Sequence, residues 1–259
     1  MQRFVMLAAL SASHLQNKNM IDLVARQIQI LRAIIEEFIE TGEPVGSETI
    51  DKKYNIGVSP ATIRNEMVYL TKQGYLIKSH ISAGRVPTAL AMRLYINELV
   101  KEKELSVADE VGVKEKIWKY RDQMEDLLYE TTRVLADKSH ALGIAVTPDG
   151  RIVHAGYSNL LEMPEFYDIN LTRHVFNIIE EEQVMNDIFG SSQSENAVKV
   201  VFGQDLGNKD LDQLGIMFVD LELPGETCRF GVLGSTRFDY SYVLPIMKYF
   251  KGLIESMVE

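Results

Sequence analysis

The stretch GVSPATIRNEMVYLTKQGYL (57–76) carries side chains whose types and order suit one kind of chemistry. Ser59 stands where a helix N-cap belongs, and Pro60 takes the first helical position, where its missing N–H costs nothing. Ile63, Met67 and Leu70 are spaced four and three apart and form an inward stripe. With that stripe buried, Ala61, Thr62, Arg64, Asn65 and, further on, Val68 face outward. Small side chains permit close approach. The hydroxyl, guanidinium and amide are groups that read base edges and grip phosphates in a major groove. The free N–H groups of the helix start also suit a phosphate. Next, YLIKSHISAGRVPT reads as two short strands around a SAGR tip. That hairpin puts Arg85, with Lys78 and His80 beside it, where a phosphate or a minor groove fits. Lys72 continues the basic edge. A solvated helix face beside a basic hairpin has the same pattern, and periodicity alone leaves both readings open.

Other chemistries find little support. The single cysteine, Cys228, forms no internal disulfide, and no Cys cluster exists for zinc, so a reducing compartment is expected. The histidines at 14, 80, 140, 154 and 174 are scattered without ligand spacing. No nucleophile–base pair, phosphate-cradling glycine loop or metal set appears, which argues against an enzyme. No cofactor is expected. No apolar run is long enough to cross a membrane, and a cytoplasmic protein is expected.

Charge separates the chain into regions. Residues 1–19 carry two basic residues and no acid, residues 20–100 carry nine of each sign, and residues 101–259 carry 16 basic and 28 acidic. Between 59 and 93 five basic residues (Arg64, Lys72, Lys78, Arg85, Arg93) face one acid, Glu66. The total of −10 argues against nucleic acid, but sign asymmetry within a chain carries more information than the total. Here it leaves a small positive patch on the outward face of 57–76.

The elements that must hold that patch follow from spacing. Val24, Ile28, Leu31, Ile34, Ile35, Phe38 and Ile39 repeat at helical intervals, and Gly42 follows as a stop. Ser47 is expected to cap a short helix containing Ile50 and Tyr54, and Gly57 to allow a tight turn. Pro87 and Thr88 lead into a further helix. Helix, short helix, turn, helix and hairpin make the winged helix-turn-helix order. Residues 20–100 form this domain. Residues 1–19 precede it as an extension that weakly imitates a secretory signal, with Met20 as an alternative start.

Three stretches, IIEEFIETGEPVGSETI, GVSPATIRNEMVYLTKQGYL and SHISAGRVPT, closely resemble the N-terminal domain of the HrcA family of heat-inducible transcription repressors. YSNLLEMPEF (157–166) and GVLGSTRFDYSYV (231–243) are similar to that family's C-terminal motifs. The resemblance covers about 24–100 and, in pieces, 140–259. It implies a DNA-binding repressor of chaperone genes that acts at an inverted-repeat operator on double-stranded DNA. It also implies a GroE-type chaperonin partner and a homodimer. A ligand-sensing winged-helix regulator of other genes is the alternative. The family usually carries an inserted dimerisation domain, for which GIAVTPDGRIVHAGYSNLL leaves no room.

The fold class expected is α+β: a winged helix-turn-helix, a linking long helix in 101–140, and a C-terminal α/β domain in 141–259 that resembles a reduced GAF-like fold. HALGIAVT and GRIVHAGY read as strands around the turn PDG. AVKVVFG, LGIMFVDLEL and CRFGVLGS give three more strands, with PGE turning between the last two. YSYVLPIMKYFKGLIESMV is expected as a helix that Pro245 breaks or delays. GSTRFDY reads either as a binding loop or as a strand-to-helix connection capped by Asp239. Val113, Ile117, Tyr120, Met124, Leu127, Thr131 and Val134 alternate spacings of four and three. That seam suits either self-association along a long helix or packing on the chain's own sheet.

Overall fold

The computed structural model describes residues 23–79, 83–147, 149–192, 196–223 and 226–258. The N-terminal extension with Met20, and His80 near the hairpin tip, lie outside the described residues. The fold is mixed helix and sheet, divided into two compact units with the boundary between Lys101 and Glu102.

In the first unit, α1 spans Ala25–Thr41, α2 Ser47–Tyr54 and α3 Pro60–Lys72. A hairpin of β1 (Leu76–Lys78) and β2 (Arg85–Pro87) follows, then α4 (Ala89–Leu94), which runs on as a π-helical turn to Leu99. Ile30, Leu31, Ile34 and Ile35 from α1 meet Ile50 of α2 and Ile63 and Leu70 of α3 in a fully buried core. Each such side chain contributes about 1.5–3 kcal/mol on leaving water. Gly42 stops α1 with φ at 72°, and its N–H returns to the Phe38 carbonyl. Val45 exchanges two 2.9 Å backbone hydrogen bonds with Arg85, so the hairpin is stitched to the loop before α2. That approach needs Gly84: a Cβ there would lie 2.7 Å from the Pro44 backbone. The expected cap of α2 shifts by one residue. Gly46 is the N-cap and Ser47 the first helical residue, because the backbone around 45–46 is held extended by the bridge to Arg85.

The second unit opens with α5 (Val107–Trp118) and α6 (Met124–Ser139). The expected single long helix is therefore two. Turn hydrogen bonds Tyr120 N–H to Ile117, Arg121 N–H to Trp118 and Gln123 N–H to Tyr120 reverse the chain. Lys138 on α6 then pairs with Asp109 on α5 at 2.5 Å. The seam residues Val113, Ile117, Leu127, Thr131 and Val134 are all buried inside the unit. An apolar stripe at this spacing requires a cover but does not specify whose, and here its own chain supplies it.

Strands β3 (Leu142–Val146), β4 (Ile152–Ala155), β5 (Lys199–Phe202), β6 (Leu214–Leu223) and β7 (Glu226–Ser235) form one antiparallel sheet in the order β4-β3-β7-β6-β5. Helix α7 (Tyr157–Glu162), a 3-10 turn at Pro164–Tyr167, α8 (Ile169–Glu180) and α9 (Glu182–Ser191) lie between β4 and β5 in the chain. Their Leu160, Phe166, Val175, Ile179 and Phe189 cover the sheet face that carries Ile144, Ile216, Phe218 and Leu233. The opposite face takes α6 and the closing helix α10 (Tyr240–Val258), where Phe230 and Phe250 meet with centroids 5.7 Å apart. Gly143 lets α6 press on β3, since a Cβ there would sit 2.4 Å from the Thr132 carbonyl oxygen.

Pro245 neither breaks α10 nor delays it. Proline inside a helix ordinarily costs about 3 kcal/mol, largely through the carbonyl it leaves unbonded one turn earlier. Here that carbonyl, Ser241, accepts the Lys103 backbone N–H at 2.8 Å. The connector after the first unit thus supplies the missing donor.

Candidate nucleic-acid interface

Helix α3 begins as its residue types require. Ser59 Oγ accepts the Thr62 N–H at 3.2 Å and lies 3.0 Å from the Thr62 hydroxyl. Ile63, Met67 and Leu70 turn inward, and Ala61, Arg64, Asn65 and Val68 are exposed. Thr62 is half-buried, its hydroxyl occupied with the cap.

The one acid of this region is withdrawn from the outward face. Arg26 on α1 reaches Glu66 through Nε at 3.0 Å and Nη2 at 2.5 Å, and Gln27 donates to the other carboxylate oxygen at 3.0 Å. The Glu66 side chain is left 12% exposed. The Gln27 hydrogen bond, opposed by burial and reinforced by Arg26, holds the Glu66 carboxyl below the usual carboxylate range. It stays an anion, but one already neutralised. Arg64, Lys72 and Lys78 are exposed, and among the described residues no carboxylate pairs with them. Local charge on α3 and the hairpin is therefore more positive than the composition alone conveys.

Arg85 behaves differently from its expected place at the tip. It is half-buried, its Nε donates to the Thr71 hydroxyl at 3.1 Å, and Nη1 donates to the Ala83 carbonyl at 2.8 Å. The guanidinium is pre-positioned by the hairpin. It shares a cleft of about 270 Å³ with Ser47, Glu48, Thr49, Arg64, Met67 and Gly84, so one carboxylate stands in the same lining. The structure thus brings Arg64 and Arg85 to one cleft, with the start of α2 on its other wall. Lys72 and Lys78 lie outside that lining. Sequence reasoning misses both Arg26 and the α2 start. The Arg26–Glu66 pair spans 40 positions, and no local spacing rule connects them.

In the second unit the two motifs at 157–166 and 231–243 come together. Glu165 accepts the Ser235 hydroxyl at 2.9 Å and pairs with Arg237 through the same oxygen. The Ser235 N–H approaches Met163 Sδ at 3.4 Å. The pair is 10% and 16% exposed at its side chains. Asp239 at the start of α10 holds Lys103 at 2.8 Å and the Ser241 hydroxyl at 2.5 Å. GSTRFDY is accordingly a strand-to-helix connection whose polar groups bind within the unit. Among the described residues no three His, Cys, Asp or Glu side chains gather as metal ligands, and no helix is long and apolar enough to cross a membrane.

Comparison with known proteins gives the following. Residues 61–244 match the family model "HrcA protein C terminal domain". The chain is 32% identical to "Heat-inducible transcription repressor HrcA" of Clostridioides difficile (strain 630) over 213 residues, covering 78% of this chain and 61% of that protein. It is 24% identical to the like-named protein of Pelotomaculum thermopropionicum over 335 aligned positions, covering 90% of this chain and 96% of the relative. That alignment is longer than the chain's 259 residues, so the relative carries residues with no counterpart here. Among solved structures, "Crystal structure of a hypothetical protein at 2.2 A resolution" superposes with a TM-score of 0.73 at 16% identity, over 92% of this chain and 99% of that one. At that identity the likeness concerns the fold alone.

Proposed function

The chain belongs to the HrcA family, and we propose that it is a heat-inducible transcription repressor that binds an inverted-repeat operator on double-stranded DNA before chaperone genes. In this reading the first unit is a winged helix-turn-helix. Helix α3 enters the major groove with Ala61, Arg64 and Asn65 toward base edges, and the β1–β2 hairpin is the wing. Arg85 steadies that wing and offers its guanidinium to a phosphate beside Arg64. The second unit is a reduced GAF-like domain. An inverted repeat demands two copies related by a two-fold axis, hence a homodimer. The family resemblance adds a GroE-type chaperonin as the partner that keeps the repressor active.

The observation that carries the reading is the disposal of Glu66. Arg26 and Gln27 cover it, while Arg64, Lys72 and Lys78 remain exposed without carboxylate partners among the described residues. A merely solvated helix face has no need of that sorting. The test is a gel-shift titration with an inverted-repeat chaperone operator and a scrambled duplex of equal length at several salt concentrations. Tight, sequence-dependent binding is expected, its log affinity falling by about 0.9 per phosphate contact for each decade of salt. Equal affinity for both duplexes, or tight binding with a nearly flat salt dependence, overturns the reading.

A further inference from the structure

The second unit belongs to the acidic half of the chain, yet residues 114–121 (KEKIWKYR) hold four basic residues and one acid. They end α5 and form the turn into α6. Trp118 stands just past the buried stripe of Val113 and Ile117 and is 44% exposed. Two cations lie over its ring: Lys114 Nζ and Arg121 Cζ are each 5.1 Å from the centroid. Lys119 Nζ lies 4.6 Å from the ring of Tyr120. Lys114 and Lys119 are exposed, and among the described residues no carboxylate pairs with them. Lys116 is held more loosely, by Asp137 at 3.4 Å, and Arg121 by its neighbour Asp122 at 3.5 Å.

Arg121 is held in place by donating Nη1 to the Trp118 carbonyl at 3.1 Å, but no bond to a carboxylate accounts for Lys114 or Lys119 among the described residues. Burial does not place the indole, since its inward neighbours already fill the core. Grouping Lys114 and Lys119 with Arg121 around exposed aromatic rings adds like-charge repulsion, which the Asp122 pair offsets at Arg121 alone. Cations interleaved with aromatic faces are suited to a polyanion that has flat or apolar surfaces between its charges, which describes the sugar-phosphate backbone of a nucleic acid.

We propose that the α5–α6 turn is a second DNA contact, gripping phosphates of the duplex outside the stretch read by α3. The proposal rests on the repressor reading above. Two features favour DNA over an acidic peptide or an anionic membrane. The chain connects this turn to a unit already held on DNA, so the second contact forms at high effective concentration. A protein of net charge −10 also repels a duplex wherever it lacks a local positive patch, and residues 114–121 supply such a patch in its acidic half.

Trp118 is the only tryptophan in the sequence, so the full chain reports on its own contact. Its emission is followed, with acrylamide as a neutral quencher, while the protein is titrated with an operator duplex trimmed to the repeat and with one flanked by about one further helical turn on each side. The flanked duplex is expected to change the emission and shield the indole, and the trimmed duplex to do so far less. Lys114→Gln with Lys119→Gln should lower affinity for the flanked duplex several-fold at low salt and reduce its salt slope by about 0.9 for each phosphate no longer gripped. Binding to the trimmed duplex should be unchanged. If the flanked operator binds fully while Trp118 stays silent and the double variant binds as the wild type does, the second contact is wrong and the repressor reading stands. If the operator does not bind at all, both fail. A Trp118 response to an acidic peptide or anionic vesicles but not to DNA also overturns the proposal.

Discussion

The two regions that carry the family motifs treat their charged side chains in opposite ways. Around α3, the acid is covered from behind by Arg26 and Gln27, and the cations Arg64, Lys72 and Lys78 are left to solvent. In the second unit the polar groups of the two motifs are spent within the unit: Arg237 and Ser235 on Glu165, and Asp239 on Ser241 and on Lys103 of the connector. Both regions carry the family resemblance. A recognisable motif is therefore not by itself a binding surface. In one unit it leaves cations open to solvent; in the other it holds a sheet, a turn and a helix together.

The largest effect should come from breaking the internal cluster. Glu165→Ala removes the acceptor shared by Arg237 and Ser235 in a nearly buried setting, and should cost about 3–5 kcal/mol of stability of the second unit in a urea melt. The value should sit at the low end, because Glu165 Oε2 is buried without a donor among the described residues and already offsets part of the gain. Acid should expose the same cluster. Burial pushes the Glu165 carboxyl up, but Arg237, a backbone N–H and Ser235 together bring it below its ordinary value. A carboxyl lowered in the folded state stabilises above its unfolded pKa and loses that contribution as pH falls through the folded value. Stability should thus drop below about pH 4, and a Glu165→Gln variant should lack that part of the acid limb.

A smaller and opposite signature belongs to the first unit. Arg64→Ala should leave the melt unchanged and cost about 1–3 kcal/mol of operator binding if Arg64 reads a base. If it touches only a phosphate, affinity should fall equally on operator and scrambled duplex. Smaller still is Arg26→Ala. Arg26 is half exposed, so solvent discounts its pair with Glu66, and about 0.5 kcal/mol of stability is expected to be lost. The uncovered carboxylate should then weaken operator binding by a similar amount, an effect that Glu66→Gln in the same chain should reverse. Arg26→Ala without any loss of DNA affinity would show that the cover is structural only.

How far these features are legible in the sequence depends on the range of the interaction. The inward stripe Ile63, Met67 and Leu70 and the Ser59 cap are local, and their spacing suffices. The strands of the second unit are legible for the same reason, and so are Leu31, Ile34 and Ile35 of α1, but Val24 of the expected stripe is the exposed N-cap and Ile30, outside that stripe, is fully buried. The Arg26 cover is not legible, because helix periodicity cannot say which face of α1 meets which residue of α3. The alternating spacing through 113–134 identifies residues needing burial but not their cover, and the polar turn between α5 and α6 carries no glycine or proline to mark it. Pro245 misleads a local reading because its remedy, the Lys103 N–H, comes from far along the chain. Spacing places Arg85 on the hairpin, while its bond to Thr71 depends on how the hairpin packs against α3.

The contrast between the units is tested most directly by amide hydrogen exchange of the full chain with and without saturating operator. Protection should rise in 59–72 and along the hairpin at 76–87, and stay unchanged at 157–167 and 231–239. Protection that gathers on those two motifs while α3 exchanges as it does in the free protein would contradict the account.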